Sequence, residues 1–438
     1  MKTLSISLCL LVWMSFSIAY AESPDIVLFV ADDHGVLDSG VYGSPDARTP
    51  NIDALASQGM RFTHAFAESP LCSPSRCVIQ TGLSPFRNGG HKFGDPIRLD
   101  IRTMPEYFAE LGYFTAHFGK FHHGPRNRFP YDQINGDENL AAAFLNEYDQ
   151  DQPLLLVVCT HPPHTPWVDN DGYDPDAIDL PETFIDTPET RIDRTEYLSD
   201  VSLMDSILGS VLQTLEATGR DDALFIYTSD QGANWPFAKW CCYDAGLQVP
   251  LIARWPDRVE EGAVSDAMVM LSDLLPTMIE AAGGAEAEGL DGRSFLDVAL
   301  DRKEEHRSVV FGSHTGNDNG GPGIANHCPT RTIRTERYRL IQNLDHEQTF
   351  FTHIVGCKDG PHYLPFWDSW VAMAETDPGA ANIVNRYLHR PPEELYDLDA
   401  DPLEQNNLIG SPELAEVEAS LRLQLHEWRR EQGDPIDP

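Results

Sequence analysis

The chain of 438 residues carries 69 Asp and Glu against 31 Lys and Arg, a formal charge of −38, with 41% hydrophobic and 10% aromatic residues. That apolar share belongs to a globular protein rather than a disordered one. So large an acidic excess excludes nucleic acid as a partner, because neutralising phosphates needs clustered cations that are outnumbered here.

In chain order, the first 21 residues read as an export signal: Lys2 gives a positive start, Leu4 to Ile18 is apolar, and Ala19-Tyr20-Ala21 is a small-x-small cleavage site. The mature chain is expected to begin at Glu22 and to be secreted or periplasmic. An uncleaved membrane anchor is the competing reading, disfavoured because the apolar run is short and ends in a cleavable pattern. No later segment is long and apolar enough to span a bilayer.

Asp25 to Ala31, Leu154 to Cys159 and Leu224 to Thr228 are the clearest strands, apolar throughout rather than alternating, as in a mostly parallel sheet covered on both faces. Thr49-Pro50 opens a helix over Asn51 to Gln58. A longer helix from about Thr195 to Ala217 sets Leu198, Val201, Met204, Leu208, Val211, Leu212 and Leu215 on one stripe. The alternation predicts an α/β fold. After about residue 300 come a Gly- and Asn-rich loop, a strand over Tyr338 to Gln342 and a final helix from about Pro412 to Arg430. The expected division is a large domain over 22–305 and a smaller α+β domain over 306–438, since the mature length exceeds what one core usually serves. There are no internal repeats.

Sites in such sheets form beyond the carboxyl ends of the strands. The three clear strands run into Asp32-Asp33-His34-Gly35, into Thr160-His161-Pro162-Pro163-His164, and into Asp230-Gln231-Gly232. Asp32, Asp33, Asp230 and Gln231 offer oxygens of the kind hard cations such as calcium take. Each pair alone is also an ordinary capping or turn sequence.

Of eight cysteines, Cys9 leaves with the signal. Export permits disulfides, but Cys77, Cys159, Cys241, Cys242, Cys328 and Cys357 show no paired metal-type spacing. One member of Cys241-Cys242 could bridge to Cys328 or Cys357.

Cys72-Ser73-Pro74-Ser75-Arg76, followed by Thr81-Gly82, resembles the CxPSR signature of the type I, formylglycine-dependent sulfatases of the alkaline phosphatase superfamily. The match extends over nearly the whole mature chain. Tyr42-Gly43, Thr49-Pro50-Asn51-Ile52-Asp53, Gly119-Lys120-Phe121-His122 and Pro163-His164-Thr165-Pro166 stand in the family order. Ser229-Asp230-Gln231-Gly232, Lys239 with Tyr243-Asp244, Ser272 to Thr277, and Glu394 to Leu398 continue it. Departures are Gln231 where many members have Asn or His, Phe121 for a frequent Trp, and Asp244 for a frequent Glu. The resemblance implies a mixed, mostly parallel sheet sandwiched by helices, with a smaller antiparallel sheet after it.

It also implies the chemistry. A sulfate monoester repels nucleophiles and has a poor leaving group, so catalysis must neutralise charge, align the attack and supply a proton. In this family Cys72 would be oxidised to formylglycine (3-oxoalanine) by a maturation enzyme; one hydroxyl of the hydrated aldehyde attacks sulfur and the other later expels sulfate. Asp32, Asp33, Asp230 and Gln231, with modified Cys72, would hold one Ca2+ as Lewis acid and template. Arg76 would brace the formylglycine and Lys120 would contact sulfate or nucleophile. His122 is the implied base for release, and His164 with Lys239 would protonate the leaving oxygen or hold the sulfate. His117, His123 and His161 read as structural, although His34 and His123 lie close enough in sequence to the site to contact substrate.

Gly119 to Pro125, and Ala31 to Gly35 leading to Asp38-Ser39-Gly40, are most similar to the heparan N-sulfatase branch. The expected substrate is therefore a carbohydrate O- or N-sulfate, with sugar contacts sought at Asn88 to Arg98 and His314 to His327. Rival readings are a phosphonate or phosphate ester hydrolase of the same superfamily, a non-catalytic sulfated-glycan-binding protein, and a cysteine-nucleophile hydrolase. The surface acid fits adaptation to a salty medium as well as any partner.

Overall fold

Every residue of β1 (Ile26–Ala31) is buried, because its two faces enter two different cores. Val27, Phe29 and Ala31 pack with Leu198, Val201 and Leu208 of the long helix, while Ile26, Leu28 and Val30 join Met104, Phe108, Leu274 and Met278 on the other side. A strand covered on both faces has no use for alternation, which is why its sequence is apolar throughout. The chain is described here from a computed structural model covering residues 23–316, 328–352, 355 and 363–436. The export segment, Cys357 and most of the loop from His314 to His327 lie outside these residues.

The remaining strands of the large sheet are β2 (Met60–Phe66), β3 (Phe114–Gly119), β4 (Gln133–Asn135), β5 (Leu154–Cys159), β6 (Leu224–Ser229), β7 (Gln248–Arg254), β8 (Ala263–Ser265) and β9 (Val269–Met270). Their order is β4-β3-β5-β1-β6-β7-β2-β8, with β9 beside β2. Among the described pairings, β7 runs antiparallel to β6 and β2, and the others are parallel. The predicted mixed, mostly parallel sheet between helical layers is the fold observed. Register places Gly119 opposite Cys159, Val30 opposite Cys159 and Ala31 opposite Ser229, so the carboxyl ends of β3, β5, β1 and β6 finish at one level.

A helix over Pro50–Ser57 starts as expected after Thr49. The long helix spans Pro188–Ala217, beginning well before Thr195, because the Thr187 side chain accepts from Thr190 N and Pro188 occupies the first turn. Cys72–Thr81 is a fully buried helix ending at Gly82 in the left-handed conformation.

A second sheet, β10 (Val310–His314), β11 (Thr330–Arg334), β12 (Tyr338–Asn343) and β13 (Glu393–Asp397), is antiparallel in that order. The helix Ala415–Gln432 covers it, packing Leu421 and Leu425 on Ile333, Leu340 and Leu395. Two of its arginines reach the segment before β7 of the large sheet: Arg334 Nε lies 3.1 Å from Asp244 Oδ2, and Arg339 forms ion pairs with Asp244 and with Glu404. Among the described residues no helix is long and apolar enough to cross a membrane.

Candidate active site

The four level strand ends supply most of the site. Asp32 and Asp33 follow β1, Lys120 and His122 follow β3, His164 lies in the turn after β5, and Asp230 and Gln231 follow β6. Gly119 makes the exit from β3 workable. Its φ is +87°, and a Cβ there would overlap the Cys159 carbonyl, the same oxygen that accepts from Lys120 N at 2.8 Å. The Cys72 helix enters from the side, and Lys239 comes from the loop beyond β6.

Every residue singled out by the sequence for chemistry meets here. Cys72 Sγ lies 3.3 Å from His122 Nδ1. One helical turn on, Arg76 Nε donates to Asp230 Oδ2 at 2.8 Å, its terminal nitrogens reaching the Lys120 carbonyl at 3.2 Å and Asp32 at 3.7 Å. Lys120 Nζ pairs with Asp32 Oδ2, and Lys239 Nζ with the Asp33 carboxylate at 2.7 Å. Gln231 Nε2 donates to Asp33 Oδ1. His164 Nε2 is 3.9 Å from Asp33 Oδ2, and its Nδ1 sits 2.6 Å from the Thr165 carbonyl. A carbonyl only accepts, so Nδ1 carries the proton and Nε2 faces the carboxylates.

Three carboxylates, Asp32, Asp33 and Asp230, thus face three cations, Arg76, Lys120 and Lys239. Burial pushes the Asp33 carboxyl up to about 6, against the pull of Lys239, and pushes Asp230 up to about 7, against the pull of Arg76; Asp32 adds repulsion to both. Burial opposes ionisation of Asp32 too, but Lys120, His164, Arg76 and Lys239 together hold it well below the usual carboxylate range. Burial, with Lys120 and Arg76, drives His122 down to about 3, and burial with Lys239 holds His164 well below its ordinary value. Both rings are neutral at pH 7. Burial raises the Cys72 thiol, the reverse of what an activated thiolate needs, so the site is ill suited to a cysteine-nucleophile hydrolase.

The residues fit a hard divalent cation. Asp32 Oδ1 and Gln231 Oε1 are buried oxygens with no hydrogen-bond partner among the described residues, an expensive state unless a cation takes them. Asp32, Asp33 and His164 can bring ligand atoms within 4.8 Å of one another, which adds His164 to the oxygens expected from sequence. A dication would turn the balanced set of charges net positive, suited to an anionic substrate. Approach is from the side of Lys120 and His164, whose side chains keep 13% and 20% exposure while Asp32 and Asp33 have none.

The other expectations divide. Within Asn88 to Arg98, Phe93 stacks edge-on with His122 at 5.0 Å and lies 6.5 Å from Trp240, so this loop does border the site. His34 does not face it: its ring is fully buried, with Nδ1 2.6 Å from the Tyr227 hydroxyl and Nε2 3.1 Å from the Asp38 carbonyl. His161 pairs with Glu138 at 2.8 Å, and His117 and His123 are buried among Phe121, Phe129 and Tyr131. Among the described residues Cys241 and Cys242 form no bridge, Cys357 lying outside them, and Cys241 Sγ accepts from Arg390 at 3.0 Å in a closed core. Sequence reasoning missed Tyr197 and Arg194, whose hydrogen bonds reach the turn carrying Asp33.

Comparison with known proteins shows a sulfuric ester hydrolase. The Sulfatase family profile matches residues 24–142 and 135–285, and the profile described as N-sulphoglucosamine sulphohydrolase, C-terminal, matches 232–362. The chain belongs to the sulfatase family. It is 30% identical to an ulvan-active sulfatase of Formosa agariphila, over 95% of this chain and 82% of that one. It is 29% identical to the N-sulphoglucosamine sulphohydrolase of Homo sapiens, over 98% and 94%. Its fold superposes with a TM-score of 0.71, at 20% identity and over 95% and 99%, on a solved structure in complex with its substrate D-glucosamine-2-N,6-O-disulfate.

Proposed function

We propose that this sulfatase removes O- or N-sulfate from a carbohydrate, using a formylglycine made from Cys72 and one bound Ca2+. The observation that carries the reading is the placement of Cys72, 3.3 Å from a neutral His122 and one turn from Arg76, beside three buried carboxylates. Both curated relatives named above act on sulfated carbohydrates by name, which favours a sugar sulfate.

Asp32, Asp33, Asp230 and Gln231, together with residue 72, would hold the calcium, which when bound supplies Lewis-acid polarisation of the sulfate. Formylglycine supplies a hydrated aldehyde as the nucleophile, with a second hydroxyl for release. Arg76 fixes residue 72 by anchoring its helix to Asp230 and Asp32. Lys120 and Lys239 offset the charge of the incoming sulfate from two sides. His122, neutral and adjacent, accepts the proton from the hydroxyl at position 72. Lys239, beside Asp33, can protonate the leaving oxygen or nitrogen, and His164 Nε2, which carries no proton, can accept a hydrogen bond there and hold the substrate. Residues 22–305 would form the catalytic domain and 306–438 a smaller one completing the pocket. Export with signal cleavage after Ala21, and a formylglycine-generating enzyme as transient partner, complete the proposal.

The test is sulfate release from ulvan oligosaccharides and N-sulfated glucosamine, beside a matched phosphonate ester, with and without chelator. Metal-dependent sulfate release from one of the sugars is expected. Phosphonate turnover without sulfate release would move the chain to the ester hydrolases of the superfamily. Sugar binding with no turnover of any substrate would make it a glycan-binding protein.

A further inference from the structure

Asp33 is held in the left-handed region, φ 68°, where a non-glycine residue persists only if its surroundings over-determine it. The same residue presents its carboxylate to Lys239 and Gln231. What fixes the turn comes from the long helix. The Tyr197 hydroxyl lies 3.2 Å from the Asp33 carbonyl, accepts from Gly35 N at 3.2 Å and reaches Asp38 Oδ2 at 2.9 Å. Arg194, one turn earlier on that helix, donates to Asp38 Oδ1 at 2.6 Å. Gly35 leaves room for this: a Cβ there would overlap the Asp38 carboxylate. The Tyr197 ring is fully buried, edge-on to Trp167 at 5.5 Å and Trp235 at 6.2 Å, so the hydroxyl has little freedom to leave its partners.

We propose that Tyr197, Asp38 and Arg194 form a positioning clamp that locks the turn carrying Asp33 and so sets the protein's affinity for its cation. The Tyr197 hydroxyl bonds only the backbone of that turn and the Asp38 carboxylate, so it acts through Asp33 and not on substrate. The proposal rests on the calcium reading above. It differs from a merely stabilising buried network in one respect: such a network supports the fold with or without metal, whereas a clamp changes how well the metal binds.

The experiment is calorimetric titration of Ca2+ into the metal-stripped mature protein and its variants. Tyr197→Phe keeps the ring and removes the hydroxyl, and is expected to weaken calcium binding by about 10- to 100-fold, the range for outer-shell partners of metal ligands. The calcium concentration for half-maximal sulfate release should rise by the same factor, while the rate at saturating calcium falls by less. Asp38→Asn, which keeps shape and an acceptor, provides the same measurement should Tyr197→Phe not fold. A dissociation constant equal to the parent's in both variants overturns the clamp and leaves the sulfatase reading intact. A parent that binds no calcium overturns the calcium reading itself.

Discussion

Two buried charge clusters lie on either side of the segment from Gln231 to Asp244, and they differ in how they close. At the junction of the two sheets, Asp244 and Glu404 are matched by Arg334 and Arg339, Asp244 N donates to Glu404 at 2.6 Å, and Arg339 also reaches the Cys242 carbonyl at 2.8 Å. The Asp244 carboxyl lies below its ordinary value because the two guanidinium groups outweigh burial, while burial pushes Glu404 up to about 8. At the strand ends, Asp32, Asp33 and Asp230 are also matched by three cations, yet Asp32 Oδ1 and Gln231 Oε1 have no hydrogen-bond partner among the described residues, and burial leaves Asp33 and Asp230 raised. In the first cluster Glu404 Oε1 and Arg339 Nε make no hydrogen bond among the described residues but lie 2.9 Å apart as an ion pair, and the cluster joins the two sheets. In the second, Asp32 Oδ1 has only Arg76 Nη2 at 3.7 Å, an oxygen held open to a cation where the ion-pair network has closed on its own.

That contrast can be broken most severely at residue 72. Cys72→Ala should lower sulfate release by about 10⁴-fold or more, as loss of a nucleophile does, with the calcium-free thermal midpoint unchanged. Arg339→Met should act in the opposite way: it leaves Glu404 without its ion-pair partner and Asp244 with Arg334 alone, and should destabilise folding by about 3–5 kcal/mol in denaturant titration, with calcium affinity unaltered. If Arg339→Met instead abolished calcium binding without loss of stability, the two clusters would not be separable. Asp32→Asn removes a ligand charge and should weaken calcium by about 100-fold in calorimetry, with a smaller effect on the calcium-free fold.

The smallest expected effect is on pH dependence. Asp33 and Asp230, raised to about 6 and about 7, keep protons in the calcium-free fold that the unfolded chain has released above about pH 4. Their contribution to stability is full below that pH and is lost as pH rises through 6 to 7. Calcium takes the deprotonated carboxylates and must displace those protons in acid. The calcium-induced rise in Tm should therefore grow between about pH 5 and about pH 8, as thermal scans with and without chelator would record. A rise independent of pH would contradict the reading of these two groups.

Much of this was legible in the sequence because it is local. Apolar runs marked β1, β5 and β6, the polar residues just past them marked the site, and Cys72 to Arg76 named its chemistry by resemblance. The long helix, expected from about Thr195, begins at Pro188, although Thr187-Pro188 repeats the pattern used at Thr49-Pro50. β3 and β2 were harder, because Thr115 and His117, and Thr63 and His64, interrupt their apolar pattern. Nothing local pairs Asp38 with Tyr197, which stand 159 positions apart, and nothing local turns His34 away from the site onto Tyr227. Such contacts follow from the level strand ends and from the helix laid across them, and they exist only once the sheet has formed.

The proposed mechanism stands on the fate of Cys72. The most direct measurement is the mass of the proteolytic peptide containing it, from protein made alongside its maturation enzyme. Formylglycine predicts a peptide in which the CH2SH side chain has become CHO, and the aldehyde should be captured by a hydrazide probe. An unmodified thiol in protein that nonetheless releases sulfate would contradict the mechanism at its centre.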